Sequence, residues 1–250
     1  MNAYLKNLNR IEILETLACT GRCRHCSEGD HAGYTAHLDG EAAARAVSEI
    51  AGAYTIESLM IFGGEPLLYP RDVCRILKAG REAGIAKREI ITNGYFSRAG
   101  ERIREVCEAL AESGLGEILL SVDAFHQETI PVEPVLLFAA CAMRAGIRTR
   151  LSPAWLVSEQ DDNPYNVRTR EILAAFTAIG TGMAQGNVIW PEGNAKLYLA
   201  EYFEEGKEYR NPYEDDPRDL RAVSIEPDGT LLSGNIYQES APLILERYRP

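Results

Sequence analysis

The 250-residue chain is 46% hydrophobic and 25% charged, with a formal net charge of −11 from 26 basic and 37 acidic residues. This balance fits a single α/β domain with a sizeable core, and it argues against a nucleic-acid partner, which wants clustered Lys and Arg. The opening Met-Asn-Ala-Tyr-Leu-Lys is not a secretory signal and no stretch reaches membrane-spanning length, so a cytoplasmic protein with no membrane partner is expected.

The first strand is expected at residues 11–17, an apolar, β-favouring run. At its C-terminal end stands Cys19-Thr20-Gly21-Arg22-Cys23-Arg24-His25-Cys26. A polar stretch follows at 28–38, and Asp39 is placed to N-cap a helix over 41–50. Strand-like runs recur near 58–62, 88–91, 117–122, 147–151 and 187–190, with helix-like runs at 71–83, 99–113, 134–145 and 168–179. Such alternation predicts βα units around a parallel sheet of six strands, too few for a closed eight-stranded barrel. Beyond Trp190 the pattern changes. Residues 194–209 are expected as an aromatic-bearing helix and 221–237 as a hairpin turning at Pro227-Asp228-Gly229. Residues 196–250 are read as a cap over the open side of 1–195, not as an independent domain. The acidic stretch 201–219 is read as a solvated face, with a docking surface for a basic partner as the second reading.

Three thiols separated by three and then two residues can meet at one metal centre, and thiolates suit iron–sulfur clusters, zinc or copper. No fourth cysteine lies nearby: Cys74, Cys107 and Cys141 are scattered in helix-like patterns, where a free thiol serves as a small hydrophobe. A four-iron cluster is normally held by four thiolates, so three leave one iron open, which is a catalytic trait. A zinc module or an electron carrier with His25 as fourth ligand is the competing reading.

Gly63-Gly64-Glu65-Pro66 follows the second strand. The glycines let a ligand approach the main chain and Pro66 favours an extended Glu65, so carbonyls and a carboxylate are expected to face a cationic amine. Thr92-Asn93-Gly94-Tyr95 follows the third strand. Ser121 and Asp123 at the end of the fourth share a face, and an inward polar pair is expensive unless it binds something. His126, just beyond, is open between substrate contact, proton donor and loop histidine. Ser152 follows the fifth strand, and Trp190-Pro191-Glu192-Gly193-Asn194-Ala195 follows the sixth. Only alternation recommends Arg148 and Arg150 on the fifth strand.

The CxxxCxxC loop after a first strand, with ring-bearing His25 before its last cysteine, resembles the signature of the radical SAM enzymes, and Gly63–Pro66 resembles their GGEP motif. The resemblance implies an incomplete (β/α)6 TIM-like barrel. It implies one [4Fe–4S] cluster on Cys19, Cys23 and Cys26, with S-adenosylmethionine (SAM) chelating the open iron. By the same resemblance Gly63, Gly64, Glu65 and Pro66 hold the SAM amino group, Asn93 helps line the SAM pocket, and Ser121 and Asp123 contact the SAM carboxylate or ribose. His25 stands where the family more often has Tyr or Phe. Ser152 is a weaker cofactor candidate, as is Asn194, which replaces the Arg of a frequent Gly-Arg-Ala. The implied reaction is reductive cleavage of SAM to a 5′-deoxyadenosyl radical that abstracts hydrogen from a substrate, with a flavodoxin or ferredoxin as electron donor. Phe125-His126-Gln127 is similar to a subset several of whose members modify peptides, so a peptide or protein side chain is expected as substrate, with a small metabolite as the alternative. His126 and Cys141 are the catalytic candidates, Cys141 (or Cys107) as a hydrogen donor if it faces the cavity. The tail keeps the Pro-Asp-Gly turn of relatives with auxiliary clusters but has no cysteine after Cys141, so a single cluster is expected.

Overall fold

The computed structural model describes residues 2–209 and 211–250. Strands β1 (Arg10–Leu14), β2 (Ser58–Phe62), β3 (Lys87–Thr92), β4 (Glu117–Leu120) and β5 (Arg148–Leu151) alternate with α1 (Gly40–Ala53), α2 (Pro70–Glu82) and α3 (Gly100–Glu112). The one-turn α4 (Ala124–Gln127) and α5 (Val132–Arg144) separate β4 from β5. Next come β6 (Ala154–Trp155), α6 (Pro164–Thr177), β7 (Gly182–Met183), β8 (Asn187–Val188) and α7 (Gly193–Tyr198). The chain closes with β9 (Ala222–Ile225), β10 (Thr230–Leu231), β11 (Gly234–Asn235) and α8 (Ala241–Arg247). One sheet runs β11-β10-β9-β1-β2-β3-β4-β5-β7, and from β9 to β7 every pairing is parallel. Among the described residues the sheet does not close on itself, so the six strands β1 to β5 and β7 form an incomplete (β/α)6 barrel.

Alternation along each strand separates two environments. Ile11, Ile13, Leu59, Ile61, Ile90, Ile118, Leu120 and Leu151 belong to the continuous apolar core shared with the helices. Each helix contributes a buried stripe at three- and four-residue spacing, such as Ala42, Ala43, Ala46, Val47 and Ile50 of α1, whose N-cap Asp39 accepts a hydrogen bond from the Ala42 N–H at 2.8 Å. The opposite face of the sheet is charged near its N-terminal edge. Lys87 pairs with Glu89 at 3.0 Å, Arg10 with Glu12 at 2.9 Å, and Arg148 and Arg150 both with Glu117. Burial alone would raise the Glu117 carboxyl, but the two guanidiniums hold it below its ordinary range. Arg148 and Arg150 are thus ion-pair partners at the floor of the barrel.

Three expectations are corrected. The sixth barrel strand is β7, not residues 187–190: Gly182 and Met183 pair with β5, after which the chain turns at Gly186 (φ +72°) and Asn187–Val188 pair with β6 in a separate ribbon. A side chain on Gly186 would place its Cβ 2.3 Å from the Pro153 carbonyl oxygen, so this turn requires glycine. Residues 194–209 are not one helix. α7 ends at Tyr198, a 3₁₀ turn covers Ala200–Tyr202, and non-helical backbone follows. Strand β1 ends at Leu14, three residues earlier than expected, because Thr16 leaves the sheet to bridge His37. The hairpin falls where the sequence placed it, and β9 lies parallel on the otherwise free edge of β1.

Glu15, just past β1, is fully buried, and both its carboxylate oxygens lack a partner among the described residues. Burial first, then Asp72 and Asp39, push its pKa from 4.5 up to about 9. The folded chain therefore keeps a proton that the unfolded chain loses above 4.5, and stability falls as pH rises from about 4.5 to about 9. Glu15→Gln removes this one-proton slope. In urea unfolding between pH 5 and pH 8 the variant gains on the parent with each pH step, by up to about 1.4 kcal/mol per unit; an unchanged difference at both pH values would refute the assignment.

Candidate active site

The three thiols Cys19, Cys23 and Cys26 leave the C-terminal end of β1 on one tight turn, in which the Cys26 N–H donates to the Cys23 carbonyl and the Gly29 N–H to the Cys26 carbonyl. Cys23 is buried and the other two are half-buried. Burial is the main cause that raises all three thiols, Cys19 to about 11; the nearby Cys26 sulfur adds to the rise at Cys19, and the Cys19 and Cys26 sulfurs add to it at Cys23. Three mutually repelling thiolates in one pocket become stable when a soft cation takes their charge. The donor set and its enclosure fit a cluster with three protein ligands.

Four segments grip this turn. From β2, the Gly64 N–H donates to the Thr16 carbonyl at 2.7 Å and the Glu65 N–H to the Ala18 carbonyl at 2.8 Å. Any side chain on Gly63 or Gly64 would put its Cβ 2.3 Å from the Thr16 or Ala18 carbonyl oxygen respectively, and Gly63 holds φ +142°. The paired glycines are therefore required by the cysteine loop itself. From β3, the Asn93 amide donates to Cys19 Sγ at 3.5 Å and to Thr20 Oγ1 at 3.2 Å. Beyond β4, Thr129 Oγ1 accepts from the Arg22 N–H at 3.1 Å and Glu128 pairs with Arg24 at 3.3 Å. From the first turn of α7, the Asn194 N–H donates to the Cys26 carbonyl at 2.9 Å and its side-chain amide to the Cys23 carbonyl at 3.1 Å. Gly193 (φ +51°) approaches so closely that a Cβ would lie 2.3 Å from the Ser27 carbonyl oxygen.

The structure redirects two acidic residues. Pro66 does hold Glu65 extended (φ −136°, ψ 101°), yet the carboxylate turns inward. Oε1 accepts from the Leu67 N–H at 2.9 Å and from Thr92 Oγ1 at 2.7 Å, and Oε2 from the Asn93 N–H at 2.9 Å. Burial lifts this carboxyl to about 7 against those hydrogen bonds. Its observed work is to brace the Thr92–Gly94 turn against β2. Asp123 is likewise fully buried: it accepts from the His126 N–H at 2.9 Å, meets His126 Nδ1 at 2.8 Å, and accepts from the Ala154 N–H at 2.9 Å. Burial would raise it, but the neighbouring imidazole and these hydrogen bonds hold it well below the usual carboxylate range. The His126 ring lies 4.8 Å from that of His25, which rests 5.0 Å from Phe125. Burial pulls the His25 imidazole down to about 4, so it is neutral at physiological pH.

Ser121 and Ser152 stand half-buried at the ends of β4 and β5, their N–H groups tied to the Thr92 and Leu120 carbonyls. Cys141 is a correction. It lies on α5 inside the core between sheet and helices, with Cys107 beside it, and accepts a hydrogen bond from Arg144, so neither thiol faces the barrel mouth. Two contributors escaped the sequence reading: Thr92, whose hydroxyl links Glu65 to the Gly94 N–H, and Gly193. Their signal was present as Thr92-Asn93-Gly94 and Gly193-Asn194 following strand patterns.

The profile described as the Radical SAM superfamily matches residues 14–150, more than half of the chain and the whole span from the cysteine loop to β5. The chain belongs to the radical SAM superfamily. Its superfamily relatives are enzymes that use a [4Fe–4S] cluster and SAM. Over 125 residues this radical SAM protein is 31% identical to a GTP 3′,8-cyclase of Chlorobaculum tepidum, an alignment covering 49% of this chain and 35% of that protein. A GTP 3′,8-cyclase of Desulforamulus reducens is 29% identical over 129 residues, covering 50% and 38% respectively. The matched stretch is thus well under half the length of these curated relatives. Among solved structures, Streptococcus suis SuiB bound to precursor peptide SuiA superposes with a TM-score of 0.59 at 14% identity, covering 98% of this chain and 68% of that one. Native anSMEcpe with bound AdoMet gives 0.61 at 12% identity, covering 96% and 80%. These likenesses show the incomplete-barrel fold. No helix among the described residues is long and apolar enough to cross a membrane.

Proposed function

We propose that this chain is a radical SAM enzyme whose Cys19, Cys23 and Cys26 hold a single [4Fe–4S] cluster with one open iron. When bound, that cluster supplies the electron that cleaves SAM to methionine and a 5′-deoxyadenosyl radical, which takes hydrogen from a substrate in the barrel mouth. The observation that carries the reading is the mutual fit of the cysteine loop and Gly63–Gly64, whose backbones approach so closely that neither glycine tolerates a Cβ. The protein's residues position and enclose. Asn93 donates to Cys19 Sγ and so stabilises charge on that sulfur. Asn194 fixes the Cys23 and Cys26 carbonyls from the opposite side. Gly63, Gly64, Glu65 and Pro66, with Ser121, Asp123 and Ser152 on the neighbouring strand ends, border the place where SAM would lie. In this arrangement the Glu65 and Asp123 carboxylates act by bracing the surrounding loops. Residues 1–195 form the catalytic barrel and 196–250 its cap. An external flavodoxin or ferredoxin supplies the electron, and the protein works in the cytoplasm.

The substrate is a peptide or protein side chain. Phe125-His126-Gln127 supports this, as does the likeness in fold to a protein solved with its precursor peptide. A small-molecule substrate is the second reading, favoured by the curated relatives named GTP 3′,8-cyclase. The anaerobically reconstituted protein, given SAM and dithionite, is expected to release 5′-deoxyadenosine. Candidate peptides and nucleotides deuterated at C–H positions then separate the readings, since the true substrate passes deuterium into 5′-deoxyadenosine, read by mass spectrometry. No 5′-deoxyadenosine from a protein with a full cluster would overturn the proposal.

Asn194→Ala tests the clamp on the cysteine loop. Loss of the bond to the Cys23 carbonyl is expected to lower stability by about 1 kcal/mol and to speed loss of iron to a chelator. Unchanged chelation kinetics would remove Asn194 from the site.

A further inference from the structure

The cysteine loop carries a second donor set that shares only Cys23 with the three-thiolate cluster. Cys23 Sγ, one nitrogen of His25 and one nitrogen of His126 lie within 4.8 Å of one another. His25 comes from the loop and His126 from α4, so two separate elements converge on the thiol. Asp123 holds His126 Nδ1 at 2.8 Å, leaving Nε2 as the free ring nitrogen. Asp123 is in turn fixed by the Ala154 N–H. A carboxylate behind an imidazole is the arrangement that orients metal-bound histidines and raises their basicity. His25 Nδ1 is enclosed without a hydrogen-bond partner among the described residues. A buried, unpaired imidazole nitrogen is costly unless something binds it.

We propose that the cluster-free protein binds one Zn²⁺ through Cys23, His25 and His126, with water as the fourth ligand. One thiolate and two imidazoles form a borderline-soft set suited to tetrahedral zinc, whose ligands sit at about 2.0–2.3 Å from the metal. The donors need to close by only about 1 Å from the observed limit to meet that geometry. Cys23 gives up its thiol proton to solvent as the bond forms, and no electron is exchanged. Because Cys23 serves both sites, zinc and the cluster exclude each other, and the zinc form is a silent state of the same loop. The inference goes beyond the proposed function and does not depend on SAM chemistry.

The test uses the full chain, stripped of metal by a chelator under reductant and titrated anaerobically with Co²⁺ as the spectroscopic probe. One Co²⁺ per chain is expected, with a thiolate-to-cobalt charge-transfer band and intense tetrahedral d–d bands, both erased by Zn²⁺. His25→Phe keeps a ring against Phe125, and His126→Gln keeps a polar side chain; each is expected to weaken binding by roughly tenfold or more. Cys19→Ala and Cys26→Ala leave the spectrum unchanged. Binding that survives both histidine substitutions but is lost in Cys19→Ala would assign the ion to the three thiols and overturn the proposal, as would no binding by the parent chain.

Discussion

Alanine at Cys19, Cys23 or Cys26 is expected to abolish both iron retention and 5′-deoxyadenosine formation, while alanine at Cys74, Cys107 or Cys141 leaves the iron content at the parental level. The contrast follows from position. The first three sulfurs share one enclosed turn at the C-terminal end of β1, where burial raises each thiol and the Cys26 sulfur adds to the rise at Cys19 and Cys23. With only three ligands present, losing one leaves two, too few to retain a cluster that already has an open iron. The other three thiols lie on helices: Cys107 and Cys141 in the core between α3 and α5, Cys74 half-buried on α2. Their truncation costs packing, about 1 kcal/mol or less for the single sulfur removed. Iron per chain after reconstitution and 5′-deoxyadenosine by chromatography read the two classes. A Cys74 or Cys141 variant as iron-poor as Cys19→Ala would displace the cluster from the loop.

Gly64→Ala is the second large effect, and it separates a structural demand from a chemical one. The new methyl would lie 2.3 Å from the Ala18 carbonyl oxygen and 2.6 Å from that of Leu17. Real contacts of this kind do not occur, so either the β2 turn or the cysteine loop must move. Overpacking of this sort costs roughly 1–3 kcal/mol, and the displaced element is the one that carries Cys19. Thermal stability and cluster occupancy should fall together, with SAM cleavage following occupancy. Gly52→Ala, in α1 with nothing within 4 Å of the added carbon, is the control and is expected to hold or raise stability by up to about 1 kcal/mol. A Gly64→Ala protein with full iron and parental stability would show that the two backbones are not in contact.

The parts of this fold legible in the sequence are those dictated by local pattern. Apolar runs at 58–62 and 117–120 sit between amphipathic helices, and their alternation fixes a parallel sheet without any knowledge of partners. Residues 19–26 and 63–66 were legible because cysteine spacing and paired glycines are each tied to one kind of backbone or ligand. What the sequence hid depends on contacts between distant segments. Nothing in Gly63–Pro66 says that Glu65 turns inward, because its partners Thr92 and Asn93 arrive 27 and 28 residues later. The short β7 was hidden because two exposed residues, Gly182 and Met183, carry no apolar signature, whereas Asn187–Trp190 do and yet pair elsewhere. Aromatic residues between 194 and 209 resembled a helix stripe, but Tyr202 packs on Tyr165 and Phe203 on Tyr209 across turns. The pairing of Asp123 with His126 was within reach, since an Asp three residues before a histidine at a helix start can cap and bind it at once.

In the proposed enzyme SAM binds the open iron of a cluster held by Cys19, Cys23 and Cys26. Low-temperature electron paramagnetic resonance of the anaerobically reconstituted, dithionite-reduced protein, recorded with and without SAM, tests it most directly. A reduced four-iron signal whose g values shift when SAM is added is expected. A four-iron signal unmoved by SAM, or a reconstituted protein that holds zinc and no cluster, would contradict it.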